Sequence, residues 1–371
     1  MAYSLTSRGR NITFSSSEFT GALGDSVTVL PLVVALALLT DISLPHVLLA
    51  FGVFQVVWGI TYGLPVSVEP MKALAALAIA GALTYADLVL AGVVLGILLL
   101  TIGLTGTLTR VEKWIGEPVI RGVQFAVALL LLETAVRLAL ADVLLAGAGL
   151  GIAVLVVAVG YRNASALVVL GGGVVLALVT TGLPVPQWPG LPPIPPVTEA
   201  DIWRTADGMF AQFAMTIGNA ALATSLLFAD RFDETVSPDD LSTSMGAMNL
   251  AAVPVGGIPM CHGCDGVAGK HEFGARTGGA NVILGALYLG AAFVATAALL
   301  SAFPLAMLGV LLVIVSVSLG TAVRRSSNLA LSVGIGLLAM LTNLGIAFLA
   351  GIVVHLALER HHSRQDETRF S

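Results

Sequence analysis

This sequence has little charge. Only 11% of its 371 residues are charged, while 57% are hydrophobic, and the mean hydropathy is +0.97. About 25% of an average globular chain is charged, so a soluble protein of this length could not cover so much apolar surface. Uncharged runs at 88–106 and 277–300 exceed the roughly 18 residues that mark a spanning helix. The sequence therefore predicts an all-α polytopic membrane protein without a soluble domain.

Cysteine is scarcer still, with two residues in the chain, and its scarcity excludes several classes of protein. Cys261 and Cys264 cannot form a disulfide framework. They stand beside His262 and Asp265, but a zinc site needs four convergent ligands, and no second Cys or His cluster completes this one. We expect no metal and no cofactor. No further nucleophile–base pair points to an enzyme, and no basic patch points to nucleic acid. The first 18 residues lack the apolar core of a signal peptide.

Proline, in contrast, interrupts the apolar pattern at an informative place, residues 63–75, G-L-P-V-S-V-E-P-M-K-A-L-A. Pro65 and Pro70 prevent one continuous helix, because each lacks an N–H and clashes with the preceding turn. Residues 65–69 should be extended, and Pro70 suits the first turn of a new helix. At membrane depth, such a half-helix would direct unpaired N–H groups into a cavity, which favours an anion.

The two halves of the chain share features at a constant offset. Leu-Gly-Asp at 23–25 resembles Ile-Gly-Asn at 217–219, and Gly-Leu-Pro at 63–65 resembles Gly-Ile-Pro at 257–259, both 194 positions later. One offset for two motifs predicts an internal repeat. We expect 12 to 14 transmembrane helices, with residues 1–182 as the first repeat, 183–204 as a proline-rich external linker and 205–371 as the second repeat.

Basic residues predict the orientation of the repeats. With the N-terminus inside and seven crossings per repeat, all the loop cations except Arg204 fall on the cytoplasmic side. They are Arg8, Arg10, Arg110, Lys113, Arg162, Arg231, Lys270, Arg276, Arg324, Arg325, Arg360 and Arg364. This places both termini in the cytoplasm and predicts a multi-pass protein of the cytoplasmic membrane.

Seven crossings per repeat make the repeats inverted, as in many secondary transporters. The half-helices after Pro70 and Gly263 would then meet at the midplane with their N-termini facing one central site. A core domain (about 15–107 and 205–300) would move against a gate domain (about 108–182 and 301–358).

Two carboxylates within the membrane, Asp25 and Glu69, are candidate functional groups because a charge there is costly. Glu69 either neutralises Lys72 and caps the half-helix, or couples transport to protons. Lys72 either holds substrate or compensates these acids. Asp25 follows Gly21 and Gly24, which allow close helix approach, and is expected to line or brace the site.

The remaining candidates are polar or backbone groups. The hydroxyls of Thr28 and Ser67 could bind an oxyanion or serve packing, and Asn219 is expected to brace. Gly263 and Gly266 would let backbone N–H groups approach a ligand. The full predicted set is Asp25, Thr28, Ser67, Val68, Glu69, Pro70, Met71, Lys72, Asn219, Cys261, His262, Gly263, Cys264, Asp265 and Gly266, with Glu69, Asp25 and Asp265 as coupling candidates.

Three motifs carry a family resemblance: G-A-L-G-D-S-V-T from Gly21, P-V-S-V-E-P-M-K-A-L-A-A from Pro65, and P-M-C-H-G-C-D-G-V-A-G-K-H-E-F-G-A-R-T-G from Pro259. They resemble the molybdate transporters that are distantly related to the SulP sulfate transporters. The resemblance implies a seven-plus-seven inverted-repeat fold and oxyanion uptake at its centre. The sequence departs from the family patterns at Glu69 (Gln in the family), Val27 (Gly) and the pair 264–265 (Ala-Gly).

The expected function is secondary active transport of a tetrahedral oxyanion, molybdate before tungstate or sulfate, with proton coupling as an option. The added acids leave a different oxyanion or a neutral substrate open. Nucleobase–proton symporters share the implied architecture and are the main alternative, and an anion channel is another. The expected partners are a small oxyanion and the lipid bilayer, and a homodimer is left open.

Overall fold

The computed structural model describes the backbone of residues 4–7 and 10–370, and the side chains of these residues except 4–7, 111–113 and 362–370. Arg8 and the side chains of Lys113 and Arg364, used above for orientation, lie outside this description. In chain order the helices are α1 Ser16–Leu39, α2 Leu44–Tyr62, α3 Lys72–Ile79, α4 Tyr85–Thr105, α5 Leu108–Ile115, α6 Glu117–Ala139, α7 Val143–Ala158, α8 Ser165–Thr181, α9 Ile202–Met215, α10 Thr224–Phe232, α11 Pro238–Ala252, α12 Cys264–Glu272, α13 Gly279–Ala292, α14 Ala297–Ser301, α15 Leu305–Thr321, α16 Leu329–Leu341 and α17 Leu344–Phe370.

The helices confirm the predicted all-α polytopic membrane fold. Within the described residues, eight helical segments are long and apolar enough to cross a membrane, and α7, α13 and α16 are shorter apolar helices. Together these are eleven segments; adding α11 gives twelve, and adding the two short helices α3 and α12 as well gives fourteen, the range expected from the sequence. The seven-plus-seven inverted repeat stays a prediction.

Four short strands accompany the helices. Strands β1 (Ser4–Ser7) and β2 (Arg10–Thr13) form a hairpin, and β3 (Glu69–Pro70) pairs with β4 (Met260–Cys261). Arg10 of the hairpin lies 2.6 Å from the carboxylate of Glu234, in the loop after α10. This hydrogen bond lowers the pKa of the Glu234 carboxyl.

Helices of the first half of the chain pack against helices of the second half. α1 packs on α12, α2 on α13, α4 on α11, and α6 on α15 and α16. Small residues permit the closest of these approaches: a Cβ atom on Gly24 of α1 would collide with the carbonyl oxygen of Gly269 in α12. The collision confirms the close helix approach expected at Gly24. Helices α1 and α12 therefore lie in contact beside strands β3 and β4.

Both broken stretches have the same layout of helix, left-handed glycine, extended chain and short helix. Gly63 follows α2 with φ 66°, and Gly256 follows α11 with φ 90°. The sequence comparison paired Gly63 with Gly257, one position later. The first half-helix begins at Lys72 with Met71 as its N-cap, rather than at Pro70, because Pro70 is part of the ladder with Met260.

The uncharged run at 277–300, long enough for one spanning helix, is divided into two helices. α13 ends at Ala292, and Thr296 starts α14 by accepting a hydrogen bond on its side chain from Leu299 N. Between them, the carbonyl oxygen of Phe293 accepts from Gln187 N of the proline-rich linker at 2.7 Å. The linker thus supplies a partner that the apolar pattern of 277–300 could not reveal.

Candidate functional site

Two extended segments cross at the centre of the molecule and set the two half-helices side by side. Glu69 pairs with Cys261 and Pro70 with Met260 in antiparallel register, and Met71 N donates to the carbonyl oxygen of Pro259 at 2.9 Å. Asn249 of α11 satisfies both backbone groups of Met260, each at 2.7 Å. The N-termini of α3 and α12 therefore flank one ladder, and sequence reasoning missed the ladder because it joins residues about half the chain apart.

A carboxylate of the protein itself occupies the N-terminus of α12. Glu69 is fully buried. Its Oε1 accepts from Gly266 N at 2.8 Å and lies 3.0 Å from the Ser67 hydroxyl oxygen. A Cβ atom on Gly263 or Gly266 would collide with this carboxylate. The two glycines thus admit an anionic ligand to a helix N-terminus, as expected, and the ligand present is Glu69 from the opposite half of the chain.

Lys72 joins two acids across the site. Its Nζ lies 2.7 Å from Glu69 Oε2 and 2.8 Å from Asp265 Oδ2. The side chains of Lys72 and Glu69 are 4% and 0% exposed, but that of Asp265 is 47% exposed. Asp265 therefore does not cap its own helix: it pairs with Lys72 and faces open space.

Asp25 lies in a second polar cluster directly behind Glu69. Its Oδ1 accepts from the Ser67 hydroxyl at 2.6 Å and its Oδ2 from Gln55 Nε2 at 2.7 Å, and Lys270 Nζ is 3.0 Å from Oδ2. The Ser67 hydroxyl is within hydrogen-bond distance of both Asp25 and Glu69, so one hydroxyl links the two acids.

The placement of Lys270 corrects the sequence analysis, which counted it among the cytoplasmic loop cations. Lys270 is on α12 and is completely buried. The close packing of α1 on α12 turns it inward toward Asp25. Its spacing from Gly263 and Gly266, seven and four residues, is that of one helix face and could have revealed it once α12 was predicted. Gln55 and Asn281, which also contact Lys270, carried no sequence signal of their own.

The N-terminus of α3 is capped from the second half of the chain. Gln212 Oε1 of α9 accepts from Ala73 N at 2.9 Å. A π-helical segment, Thr216–Ala223, follows α9 and contains Asn219; such insertions are frequent at functional sites. Asn219, Gln212, Glu69 and Lys72 line a cavity of only about 10 Å³. This is close to the lower limit for one water molecule, so the space between the half-helices is closed to any larger ligand.

A much larger open cavity, which we call the vestibule, begins where the central site ends. It measures about 690 Å³ and lies between α1 and α12 on one side and α6 and α15 on the other; its polar residues include Thr28, Asp265, Arg121, Arg162, Arg324 and Arg325. Among the described residues, the Thr28 hydroxyl is a buried polar atom without a hydrogen-bond partner, so it is available to a ligand at the inner end of the vestibule.

Some predicted site residues support the site from behind. Val68 and Met71 are buried in the core. His262 Nδ1 lies 2.7 Å from the Ser67 carbonyl oxygen and Nε2 lies 2.8 Å from the Ser244 hydroxyl. Cys261 faces the small central cavity, while Cys264 is half-buried at the start of α12. Within the described part of the chain, no group of three His, Cys, Asp or Glu side chains is placed to hold a metal ion.

A polytopic helical fold with two broken helices meeting at its centre is that of a membrane transport protein. The model of the family described as "Molybdate transporter of MFS superfamily" matches residues 17–131 and 204–319. Molybdate transporter 1 of Arabidopsis thaliana is 31% identical, over 94% of this chain and 90% of the relative. Molybdate transporter 2 of the same plant is 28% identical, over 93% and 87%. The chain belongs to the molybdate transporter family.

Solved structures with the same fold include a bicarbonate transporter and an anion transporter. The transmembrane domain of a cyanobacterium bicarbonate transporter, BicA, aligns with a TM-score of 0.64 at 17% identity, covering 91% of this chain and 96% of that one. Murine Slc26a9 in the inward-facing state aligns with a TM-score of 0.71 at 13% identity, covering 94% and 69%. These likenesses confirm the expected SulP-like fold. The curated relatives are named transporters, in agreement with the expectation of a carrier rather than an enzyme.

Proposed function

We propose that this protein is a secondary active transporter that carries a tetrahedral oxyanion, molybdate in the first place, across the cytoplasmic membrane by proton-coupled alternating access. The observation that carries the proposal is the Glu69 carboxylate at the N-terminus of α12, hydrogen-bonded to Gly266 N and Ser67. Helix N-termini bind anions through free N–H groups and the helix dipole. Glu69 holds the place that the oxyanion takes in another state of the cycle.

The approach to the site is suited to an anion. Four arginines and two acids, Asp265 and Glu272, line the vestibule. A cleft with an excess of positive charge concentrates anionic ligands. At its inner end the vestibule reaches the Thr28 hydroxyl and the Asp265–Lys72 pair. An oxyanion entering here would first meet Thr28 and Lys72, and then compete with Glu69 for Gly266 N.

The charges at the site explain why protons would be required. When all are ionised, the carboxylates of Asp25, Glu69 and Asp265 exceed the ammonium groups of Lys72 and Lys270 by one charge. A divalent oxyanion would add to this excess. Protonation of Glu69 removes one negative charge, weakens its hold on Gly266 N and frees Lys72 to pair with the anion. Asp25, fixed by Ser67, Gln55 and Lys270, is the less mobile coupling candidate.

The conformational change would move the segments that carry the site. Residues of about 15–107 and 205–300 would shift as a core domain against a gate domain of about 108–182 and 301–358, closing the vestibule and opening the opposite side. The two domains would belong to inverted repeats, 1–182 and 205–371, joined by the external linker 183–204, with both termini in the cytoplasm.

The test is uptake into proteoliposomes of labelled molybdate, sulfate and uracil, with and without an inward proton gradient. We expect molybdate to accumulate against its concentration gradient only when the proton gradient is present. Molybdate that merely equilibrates would indicate a channel. Asp25, Glu69 and Asp265 would also suit a neutral hydrogen-bonding substrate. Accumulation of uracil but not of molybdate would therefore identify the substrate as a nucleobase instead of an oxyanion.

A further inference from the structure

Lys270 is held in a cage of oxygen atoms. Its Nζ lies 2.9 Å from Gln55 Oε1, 2.8 Å from the Val66 carbonyl oxygen and 2.9 Å from Asn281 Oδ1, and 3.0 Å from Asp25 Oδ2. The four oxygens come from four separate segments, and the cage is completely buried. Four converging oxygens, one of them a carboxylate, form the kind of environment in which proteins bind inorganic cations.

The orientation of the amide side chains confirms that the cage is built for a positive charge. Gln55 Nε2 donates to Asp25 Oδ2 and Asn281 Nδ2 donates to the Val66 carbonyl oxygen, so both amides turn their oxygens toward Lys270. All four neighbouring oxygen atoms are acceptors that cannot donate. The Lys270 ammonium group supplies three N–H donors to them.

We propose that the Lys270 ammonium takes the place of a monovalent metal cation, and that the oxygen cage becomes a K⁺ or Na⁺ site when the side chain is removed. The native carrier then requires neither ion at this position, because its cation is covalently attached. The distances of 2.8–3.0 Å suit K⁺, which is close to ammonium in size, better than the smaller Na⁺. The proposal concerns the cation and is independent of which substrate is carried.

Two substitutions distinguish the loss of the ammonium charge from the opening of space for an ion. Lys270→Ala removes the ammonium and leaves room for an ion. Lys270→Met removes the same charge, but its terminal methyl lies where the Lys270 Cε lies, within one bond length of the ion's position. Both leave Asp25 uncompensated and should destabilise the protein, since an unpaired buried charge is costly. Only Lys270→Ala should recover when a cation is supplied.

The experiment measures thermal unfolding of the detergent-purified full chain in KCl, NaCl or N-methyl-D-glucamine chloride at equal ionic strength. We expect the melting temperature of Lys270→Ala to rise by a few degrees in KCl, with saturation at millimolar concentration and a smaller effect of NaCl. Lys270→Met, the double variant Lys270→Ala/Asp25→Asn and the native protein should not respond. Saturable binding by mass action has this signature.

Three results would overturn the proposal: an equal response of Lys270→Met, an unchanged response after Asp25→Asn is added, or no response of Lys270→Ala. If Lys270→Ala does not fold in any salt, cation rescue has failed and the proposal falls. A saturable stabilisation of the native protein by K⁺ or Na⁺ would also contradict it. A failure of molybdate uptake would leave these melting curves unaffected, so the two proposals are tested separately.

Discussion

Glu69 unites a neutralising role and a proposed transport role in one side chain. It pairs with Lys72 at 2.7 Å, as the structural alternative in the sequence analysis required. The half-helix that it caps, however, is α12 and not the neighbouring α3. A buried carboxylate that occupies an anion site is an internal competitor for the substrate. Its protonation state would then decide whether the site is free.

We expect Glu69→Gln to uncouple uptake from the proton gradient. The amide keeps an oxygen for Gly266 N but carries no charge, so the oxyanion no longer needs a proton to displace it. Because uptake no longer draws on the proton gradient, the accumulation ratio in proteoliposomes should fall to its equilibrium value, while exchange of molybdate continues.

The matched control is Glu18→Gln. Glu18 is also buried and also accepts backbone N–H bonds, from Arg276, Thr277 and Ala280, but it does not contact Lys72. It should retain proton-driven accumulation. Full proton-driven accumulation by Glu69→Gln would exclude Glu69 as the coupling group.

Gly266→Ala tests how closely the site is packed. The added Cβ would collide with Asp25 Oδ1, Ser67 Oγ and Glu69 Oε1, and such overpacking costs about 1–3 kcal/mol. We expect a lower melting temperature and loss of uptake. Gly151→Ala in α7 meets nothing within 4 Å and should be neutral or slightly stabilising; equal behaviour of the two variants would show that the site tolerates the methyl group.

At the scale of the element, the crossing strands depend on one side chain of α11. Asn249→Leu would leave the N–H and C=O of Met260 without the partners that Asn249 provides. Each buried unsatisfied group costs about 1–3 kcal/mol. We therefore expect a large fall in the melting temperature, measured in detergent.

Met245→Leu, buried on the same helix, keeps the volume and should cost less than about 1.5 kcal/mol. If Asn249→Leu unfolds at the temperature of this control, Asn249 does not hold the ladder.

The elements differ in how far the sequence predicted them. The uncharged run at 88–106 located α4 (Tyr85–Thr105) to within a few residues, because a span in lipid requires length and hydrophobicity above all. Proline and glycine located the broken stretches at 63–75 and 257–270. The β3–β4 ladder, the π-helical segment at Asn219 and the division between α13 and α14 depend on partners elsewhere in the fold, so local sequence could not reveal them.

The sequence predicted most residues of the candidate site but not the hydrogen bonds and ion pairs that join them. Asp25, Ser67, Glu69, Lys72 and Asp265 do lie together. Lys270 was misassigned to a loop because Lys and Arg near a predicted span end were counted by position alone, whereas its burial results from helix packing.

At the scale of the molecule, the vestibule should steer the anion. Replacing Arg324 and Arg325 together by Gln removes two of its four arginines. We expect the KM for molybdate on that side to rise about threefold to tenfold at low ionic strength, and the difference to shrink at high salt, because long-range attraction is screened.

Arg204→Gln, placed by the sequence on the opposite side, is the control and should leave this KM unchanged. If the ratio of the two KM values, double variant to native protein, is the same at low and high salt, steering by these arginines is excluded.

The caps of the two half-helices are exchanged between the halves of the chain: Glu69 of the first half serves α12, and Gln212 of the second half serves α3. Each half of the chain by itself would have one half-helix whose N-terminal N–H groups lack a side-chain acceptor. It would also carry one acceptor side chain without the N–H group that it binds. The cap of each half-helix therefore depends on the presence of the other half of the chain.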